Sequence, residues 1–329
     1  MTMRKIFLLT LVVMSLLFVG CATPKIRLFP SQADPLKEYK LSGEADKKVL
    51  IIPIRGIISD APHEEFIRTK PSVVQEVVSQ LRLAEKDENV KAVLLKIDSP
   101  GGSVTASDIL YNEIIAFKKR TGAKVVAAMM DVAASGGYYI SLPADYIVAH
   151  PTTLTGSVGV IFMRPKVIDL MQKVGVSVEI NKSGINKDMG APFSRTTSEE
   201  NKMLQAMTDR LGKRFIDLVA KHRKLDPAAM AEISTARVYL ANDALQLGMV
   251  DEVGYLDQAL AAAKKLADLP EDAKVVVYRR NEYPNDNIYN TSTRYGGGDL
   301  SIISLKLPES LNQLHTGFYY MWPAAAMGD

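Results

Sequence analysis

Val90-Lys91-Ala92-Val93-Leu94-Leu95-Lys96-Ile97-Asp98-Ser99-Pro100-Gly101-Gly102-Ser103 is the stretch from which the rest of the chain can be read. A short apolar run ends in a Pro-Gly-Gly turn, and Ser103 to Arg120 continues with helical character, so a strand passes into a helix at one tight corner. Lys124 to Met130 is the next apolar run, Ser135 to Leu142 a short helix, and Tyr146 to Ala149 a strand again. Upstream, Val49 to Ile54 is an apolar strand closed by Arg55-Gly56. Pro71 to Glu85 places apolar residues at 73, 74, 77, 78, 81 and 84 behind an early proline, which predicts an amphipathic helix. Short apolar strands alternating with helices predict an α/β domain of repeated strand-helix crossover units.

Downstream, Pro165 to Val174 reads as a helix and Val176 to Asn181 as a strand. Thr197 with Glu200 three places on is a capping box, and it starts a long helix to about Lys224 whose apolar positions 203, 204, 207, 211, 215 and 218 give one buried face. Pro227 to Ile233, Asn242 to Leu247 and Tyr255 to Leu269 are shorter helices, and Lys274 to Tyr278 is a last strand. After Arg279 the chain turns rich in Asn, Tyr and Gly and reaches Phe318-Tyr319-Tyr320-Met321-Trp322. That cluster reads more readily as a frayed tail with a small packing contact than as a segment docked in a substrate groove.

The chain has 329 residues, 47% hydrophobic and 23% charged, which excludes a disordered or fibrous protein. A net charge of +3 offers no footprint for nucleic acid. One cysteine and four scattered histidines (His63, His150, His222, His315) make no zinc or haem cluster, and no metal or organic cofactor is implied. Arg4 and Lys5 precede an apolar run from Ile6 to Val19, the order of a secretory signal peptide. At about 14 residues that run falls short of the ~20 needed to span a bilayer. Phe18-Val19-Gly20-Cys21 resembles the lipobox of bacterial lipoproteins, with Phe18 where Leu is usual, so Cys21 is expected to be lipidated; the alternative is an uncleaved signal anchor. The expected organisation is a signal peptide at 1–20, a tether at 21–48, a catalytic domain at 49–278 and a C-terminal extension at 279–329.

Two junctions could carry chemistry. Glycines in Ser99-Pro100-Gly101-Gly102 let the backbone turn and leave N–H groups free at a helix start, which suits an oxyanion or simply a tight turn. In Ala134-Ser135-Gly136-Gly137 a serine stands at a strand-to-helix corner, where it could be a nucleophile or an N-cap. Neither His150 at the end of the next strand nor Lys187 in a Gly-bearing loop is singled out as its base by sequence physics alone.

Five motifs in order change that reading. Ser99-Pro100-Gly101-Gly102, Ala134-Ser135-Gly136-Gly137-Tyr138-Tyr139, Thr155-Gly156-Ser157-Val158-Gly159-Val160, Lys187-Asp188-Met189-Gly190-Ala191-Pro192 and Gly248-Met249-Val250-Asp251 together resemble the signal peptide peptidase A family over Val49 to Tyr278. The resemblance implies a Clp-protease-like or crotonase-like fold and a serine endopeptidase with Ser135 as nucleophile and Lys187 as general base. Ser157 would orient the lysine amine, and the N–H groups of Gly102 and Gly136 would form the oxyanion hole. It further implies a homo-oligomer with active sites shared between protomers, and released signal peptides as substrates. With a lipid anchor, it places the protein on the extracytoplasmic side of a bacterial membrane. A lysine base must be neutral, so Lys187 is expected to be buried, with Asp188 turned away from it. The rival readings are a Clp-like peptidase using His150, a catalytically silent lipid-anchored scaffold, and a crotonase-type acyl-thioester enzyme.

Overall fold

The structure, a computed structural model, describes residues 35–64, 69–290 and 316–326. The described chain opens with strands β1 (Lys37–Ser42) and β2 (Ala45–Arg55) and a small hairpin, β3 (His63–Glu64) with β4 (Thr69–Lys70). Crossover units follow: α1 (Val73–Ala84), β5 (Val90–Ser99), β6 (Gly101–Ser103), α2 (Val104–Thr121), β7 (Lys124–Ala134), α3 (Gly136–Ser141) and β8 (Tyr146–Ala149). Then come β9 (Leu154–Gly156), β10 (Ile161–Met163), α4 (Ile168–Lys173), α5 (Ser198–His222), α6 (Pro227–Ile233), β11 (Val238–Leu240) and α7 (Ala241–Gln246). The last elements are β12 (Glu252–Val253), α8 (Leu256–Leu266), β13 (Ala273–Arg279), β14 (Gly317–Met321) and α9 (Pro323–Ala326).

The main sheet runs β1-β13-β2-β5-β7-β8-β12, parallel from β13 to β12, with β1 antiparallel at one edge. Side chains alternate across a strand, so β2 serves both faces. Leu50, Ile52 and Ile54 pack with the Val77, Leu81, Leu110 and Ile114 side of α1 and α2, while Val49 and Ile51 meet Leu256, Ala259 and Ala263 of α8. Helix starts follow the sequence. Ser72 caps α1 by accepting from the Gln75 N–H, Ser103 caps α2 through Ala106, and the Thr197–Glu200 capping box opens α5. The α/β architecture of crossover units is the one expected.

Three expectations give way. The tether placed at 21–48 ends earlier, because Tyr39 and Leu41 alternate along β1 and pack on the α8 side of the sheet. Val176 to Asn181 is not a strand. Its Val176, Val178 and Ile180 are exposed, and a strand needs a paired edge that none of the described residues provides. Lastly, Gly317–Met321 is no frayed tail but the middle strand of a second sheet, β10-β14-β6. Cys21 and the signal peptide lie outside the described residues, among which no helix is long and apolar enough to cross a membrane.

Candidate active site

Ser135 stands where β7 ends and α3 begins, with φ 52° and ψ −112°, outside the conformations an L-residue favours. Such a geometry costs on the order of 1–3 kcal/mol and persists only where the surroundings over-determine it. Here they do. The Ser135 N–H donates to the Gly156 carbonyl at 2.7 Å, the Ser135 carbonyl accepts from Tyr139 at 2.8 Å, and Gly137 lies so close to Ser99 that a Cβ there would stand 2.6 Å from the Ser99 carbonyl oxygen. The hydroxyl does not cap the helix: the N-cap alternative fails because Ser135 makes no side-chain cap bond. Its Oγ is buried without a hydrogen-bond partner among the described residues, an arrangement proteins rarely keep without a functional reason.

The β5–β6 corner faces it. Buried Ser99 clamps this loop, donating to the Gly56 carbonyl at 2.6 Å and accepting from the Gly101 N–H at 3.1 Å. Gly101 needs its glycine: φ is +101°, and a Cβ would stand 2.6 Å from the Gly136 nitrogen. Ile58 takes one edge of β6, donating to the Gly101 carbonyl and accepting from Ser103, which leaves the N–H and C=O of Gly102 on the opposite edge. Gly136, first residue of α3, has an N–H that its own helix does not use. A Cβ on it would fall 3.0 Å from the Gly101 Cα, so the two glycine corners are in direct contact.

Ser157 is brought beside this corner by strand register. Ala134 pairs with Gly156 across β7 and β9, so the next residues, Ser135 and Ser157, leave their strands together. Ser157 also has positive φ, 52°, and its N–H is held by the Arg237 carbonyl at 2.7 Å. Lys187 is placed differently. It rides an exposed turn, its N–H bonded to the Gly184 carbonyl, and its amine has no ion pair or hydrogen bond to a described residue. Burial of Lys187 was expected and is not found within one chain. Asp188 is turned to Lys182 at 2.7 Å, which holds its carboxyl below the ordinary range through that hydrogen bond. The end of the loop is pinned, for Glu200 accepts from the Gly190 N–H at 2.7 Å and pairs with Arg164 at 2.7 Å. Burial pulls the Glu200 carboxyl up, but the Gly190 and Thr197 N–H groups with Arg164 outweigh it and keep its pKa low.

His150 lies beside β7, its N–H bonded to the Met129 carbonyl, six residues before Ser135. Its ring is bonded to Thr152 at 2.9 Å and meets Tyr255 edge-on. Among the described residues no group of three or more His, Cys, Asp or Glu could hold a metal.

Residues 117–270 match the peptidase family S49. A protein of Enterococcus faecium named as a signal peptide peptidase is 34% identical over 78% of this chain and 74% of its own length. The chain belongs to peptidase family S49. Protease 4 of Haemophilus influenzae is 30% identical over 85% of this chain and 45% of its own length, and the chloroplastic serine protease SPPA of Arabidopsis thaliana is 33% identical over 72% of this chain and 35% of its own. Among solved structures, the membrane-bound stomatin-specific protease 1510-N aligns over 66% of this chain and 85% of its own at 18% identity, with a TM-score of 0.40. Family membership makes the chain a serine-type peptidase, and Ser135, Gly102 and Gly136 are the residues that the fold gathers at one corner.

Sequence reasoning passed over Ser99 as a clamp, Glu200 as the pin of the Lys187 loop, and β14. Glu200 was visible only as half of a capping box, a role it also fills.

Proposed function

We propose that this chain is a Ser–Lys endopeptidase that degrades released signal peptides and other apolar peptides at the extracytoplasmic face of a bacterial membrane, anchored through a lipid on Cys21. Ser135 is the nucleophile, Lys187 the general base and Ser157 the group that orients the lysine amine. The N–H groups of Gly102 and Gly136 receive the oxyanion. The observation that carries this reading is the Ser135 hydroxyl: buried, unpartnered and held at positive φ where the two glycine corners meet.

Because Lys187 is exposed and the Ser135 Oγ has no partner among the described residues, the base in this reading is supplied across an interface by a neighbouring copy in a homo-oligomer. The neutral amine takes the Ser135 proton, the alkoxide attacks the peptide carbonyl, and the two N–H donors stabilise the tetrahedral intermediate, each worth ~10² to 10³ in rate. The ammonium then protonates the leaving amine, and water hydrolyses the acyl-serine.

Turnover of a fluorogenic apolar peptide by the wild type, Ser135→Ala, Lys187→Ala and His150→Ala tests the assignment. Both dyad variants are expected to lose at least ~10³-fold in kcat with unchanged thermal unfolding, while His150→Ala stays near wild type. An active Lys187→Ala would remove lysine from the mechanism.

A further inference from the structure

The helices that start at the two glycine corners are tied together by one carboxylate. Helix α2 leaves the Gly101–Gly102 corner through its cap, Ser103, and α3 leaves Ser135 through Gly136. One turn into α2, buried Ser107 donates to the Ser103 carbonyl at 3.0 Å, and a Cβ on Gly136 would stand 2.6 Å from its Oγ. The next residue, Asp108, accepts through Oδ1 from the Tyr139 hydroxyl at 2.6 Å and, through the same oxygen, from Arg214 of α5 at 2.6 Å. The Tyr139 N–H closes the first turn of α3 on the Ser135 carbonyl, and its buried ring meets Tyr111 at 5.4 Å and Phe215 at 4.8 Å, both edge-on. Burial, with the bond to Asp108, pushes the Tyr139 phenol far up, so its hydroxyl stays a donor at any working pH. The helix that carries Arg214 is fixed at both ends: Glu200 accepts from the Gly190 N–H near its start, and Arg223 at its end donates to Asp251 at 2.8 and 3.0 Å.

We propose that Asp108 is a positioning residue for the oxyanion hole, acting through the Tyr139 hydroxyl. By holding that hydroxyl it sets the tilt of the α3 turn from which the Gly136 N–H is aimed, and it fixes that turn against α2, the helix that follows Gly102. A donor stabilises an oxyanion only when it lies about 2.7–3.1 Å from the place where the charge develops, so a small tilt is felt in the transition state and little in substrate binding. Stability alone gives the joint little purpose. The Asp108 and Arg214 side chains are 37% and 51% exposed, and ion pairs at such positions contribute little to folding. Its two bonds are charge-assisted and therefore short and directional, which suits aiming a helix.

This inference rests on the peptidase reading above, and the test separates the two. In the full chain, Asp108→Ala should lower kcat for the fluorogenic peptide about tenfold with KM unchanged, short of the ~10² to 10³ that follows outright loss of a donor. A peptide aldehyde, whose hemiacetal oxygen takes the place of the oxyanion, should bind this variant about tenfold more weakly, with the unfolding temperature held. Tyr139→Phe keeps the ring and its packing and removes only the hydroxyl, so it should show the same loss, and the double variant no more than either alone. Asp108→Glu, which keeps the carboxylate, should recover kcat to within about threefold of the wild type. Active wild type with kcat unchanged in Asp108→Ala or Tyr139→Phe, a loss confined to KM, losses that multiply in the double variant, or unfolding temperature falling in step with kcat would make the joint a structural contact and overturn the positioning role alone. Absence of turnover and of fluorophosphonate labelling at Ser135 in wild type and variants alike would overturn the peptidase reading and the positioning role with it.

Discussion

Ser135 sits at 1% exposure on a corner fixed by strand pairing, helix entry and glycine contacts, whereas Lys187 rides a turn where Ile185 two residues away is 80% exposed. The first half of the site is built by the parallel sheet: β5, β7 and β9 deliver Ser99, Ser135 and Ser157 from paired strand ends, and burial on both faces leaves those ends little freedom. The second half hangs between α4 and α5, pinned at Gly190 by Glu200 and carrying Val174, Ile185 and Phe193 toward solvent. An apolar segment of that size is stable in water when something covers it. The proposed nucleophile and oxyanion notch are therefore preformed in one chain, while the proposed base rides an exposed surface, where a second copy could meet it in the reading above.

The sharpest way to break this contrast is to add one methyl group to each half. In Gly102→Ala the new Cβ meets the Ile58 backbone, which has no room to yield, and a loss of about 3 kcal/mol or failure to fold is expected. In Gly184→Ala the new Cβ meets nothing within 4 Å, and stability should change by less than about 0.5 kcal/mol. Denaturant unfolding of the two variants measures this directly. Equal losses would mean that the Lys187 loop is as tightly determined as the sheet corner.

The same contrast governs what could be read from the sequence. Mostly apolar runs such as Val90–Ile97 are legible because a strand buried on both faces is apolar along most of its length, and the Thr197–Glu200 box is legible because a cap joins neighbours in sequence. The Ser135 corner could be located but not chosen: a serine before two glycines more often caps a helix than attacks a carbonyl, and what argues against the cap is its positive φ and a hydroxyl that makes no cap bond. Lys187 came from family resemblance alone. Val176 to Asn181 misled because Val176, Val178 and Ile180 alternate as a strand would, and alternation does not report whether an edge is available to pair. The register of Tyr320 against Gly102 joins residues more than 200 apart, which local pattern does not reach.

A smaller effect is expected on the exposed half. Ile185→Asp should leave unfolding of the single chain unchanged, since its side chain touches solvent, but should weaken assembly by placing a charge in the contact. Sedimentation is expected to show a shift toward smaller species, and peptide turnover at dilute protein to fall about tenfold, as an interface loses ~1.4 kcal/mol. Full activity in a dissociated Ile185→Asp chain would show that Lys187 reaches Ser135 within one protomer.

The smallest expected effect lies in the pH dependence of the buried half. Burial holds the His222 imidazole below its ordinary value of 6.5, and Lys221, Lys118 and Arg223 push the same way. Its Nε2 lies 2.7 Å from the Tyr111 hydroxyl at the end of α5. Because the folded pKa is depressed, the unfolded chain takes up this proton first as pH falls. The contribution to stability is therefore complete above about 6.5 and is lost as pH drops from there toward the folded value. Unfolding temperature measured from pH 8 to 5 should fall in the wild type and fall less steeply in His222→Gln. The Lys182–Asp188 pair of the exposed loop contributes nothing in this window, because Lys182 keeps that carboxylate ionised to lower pH. Identical slopes for the wild type and His222→Gln would assign the loss to other groups and leave the buried half without a titrating residue near neutrality.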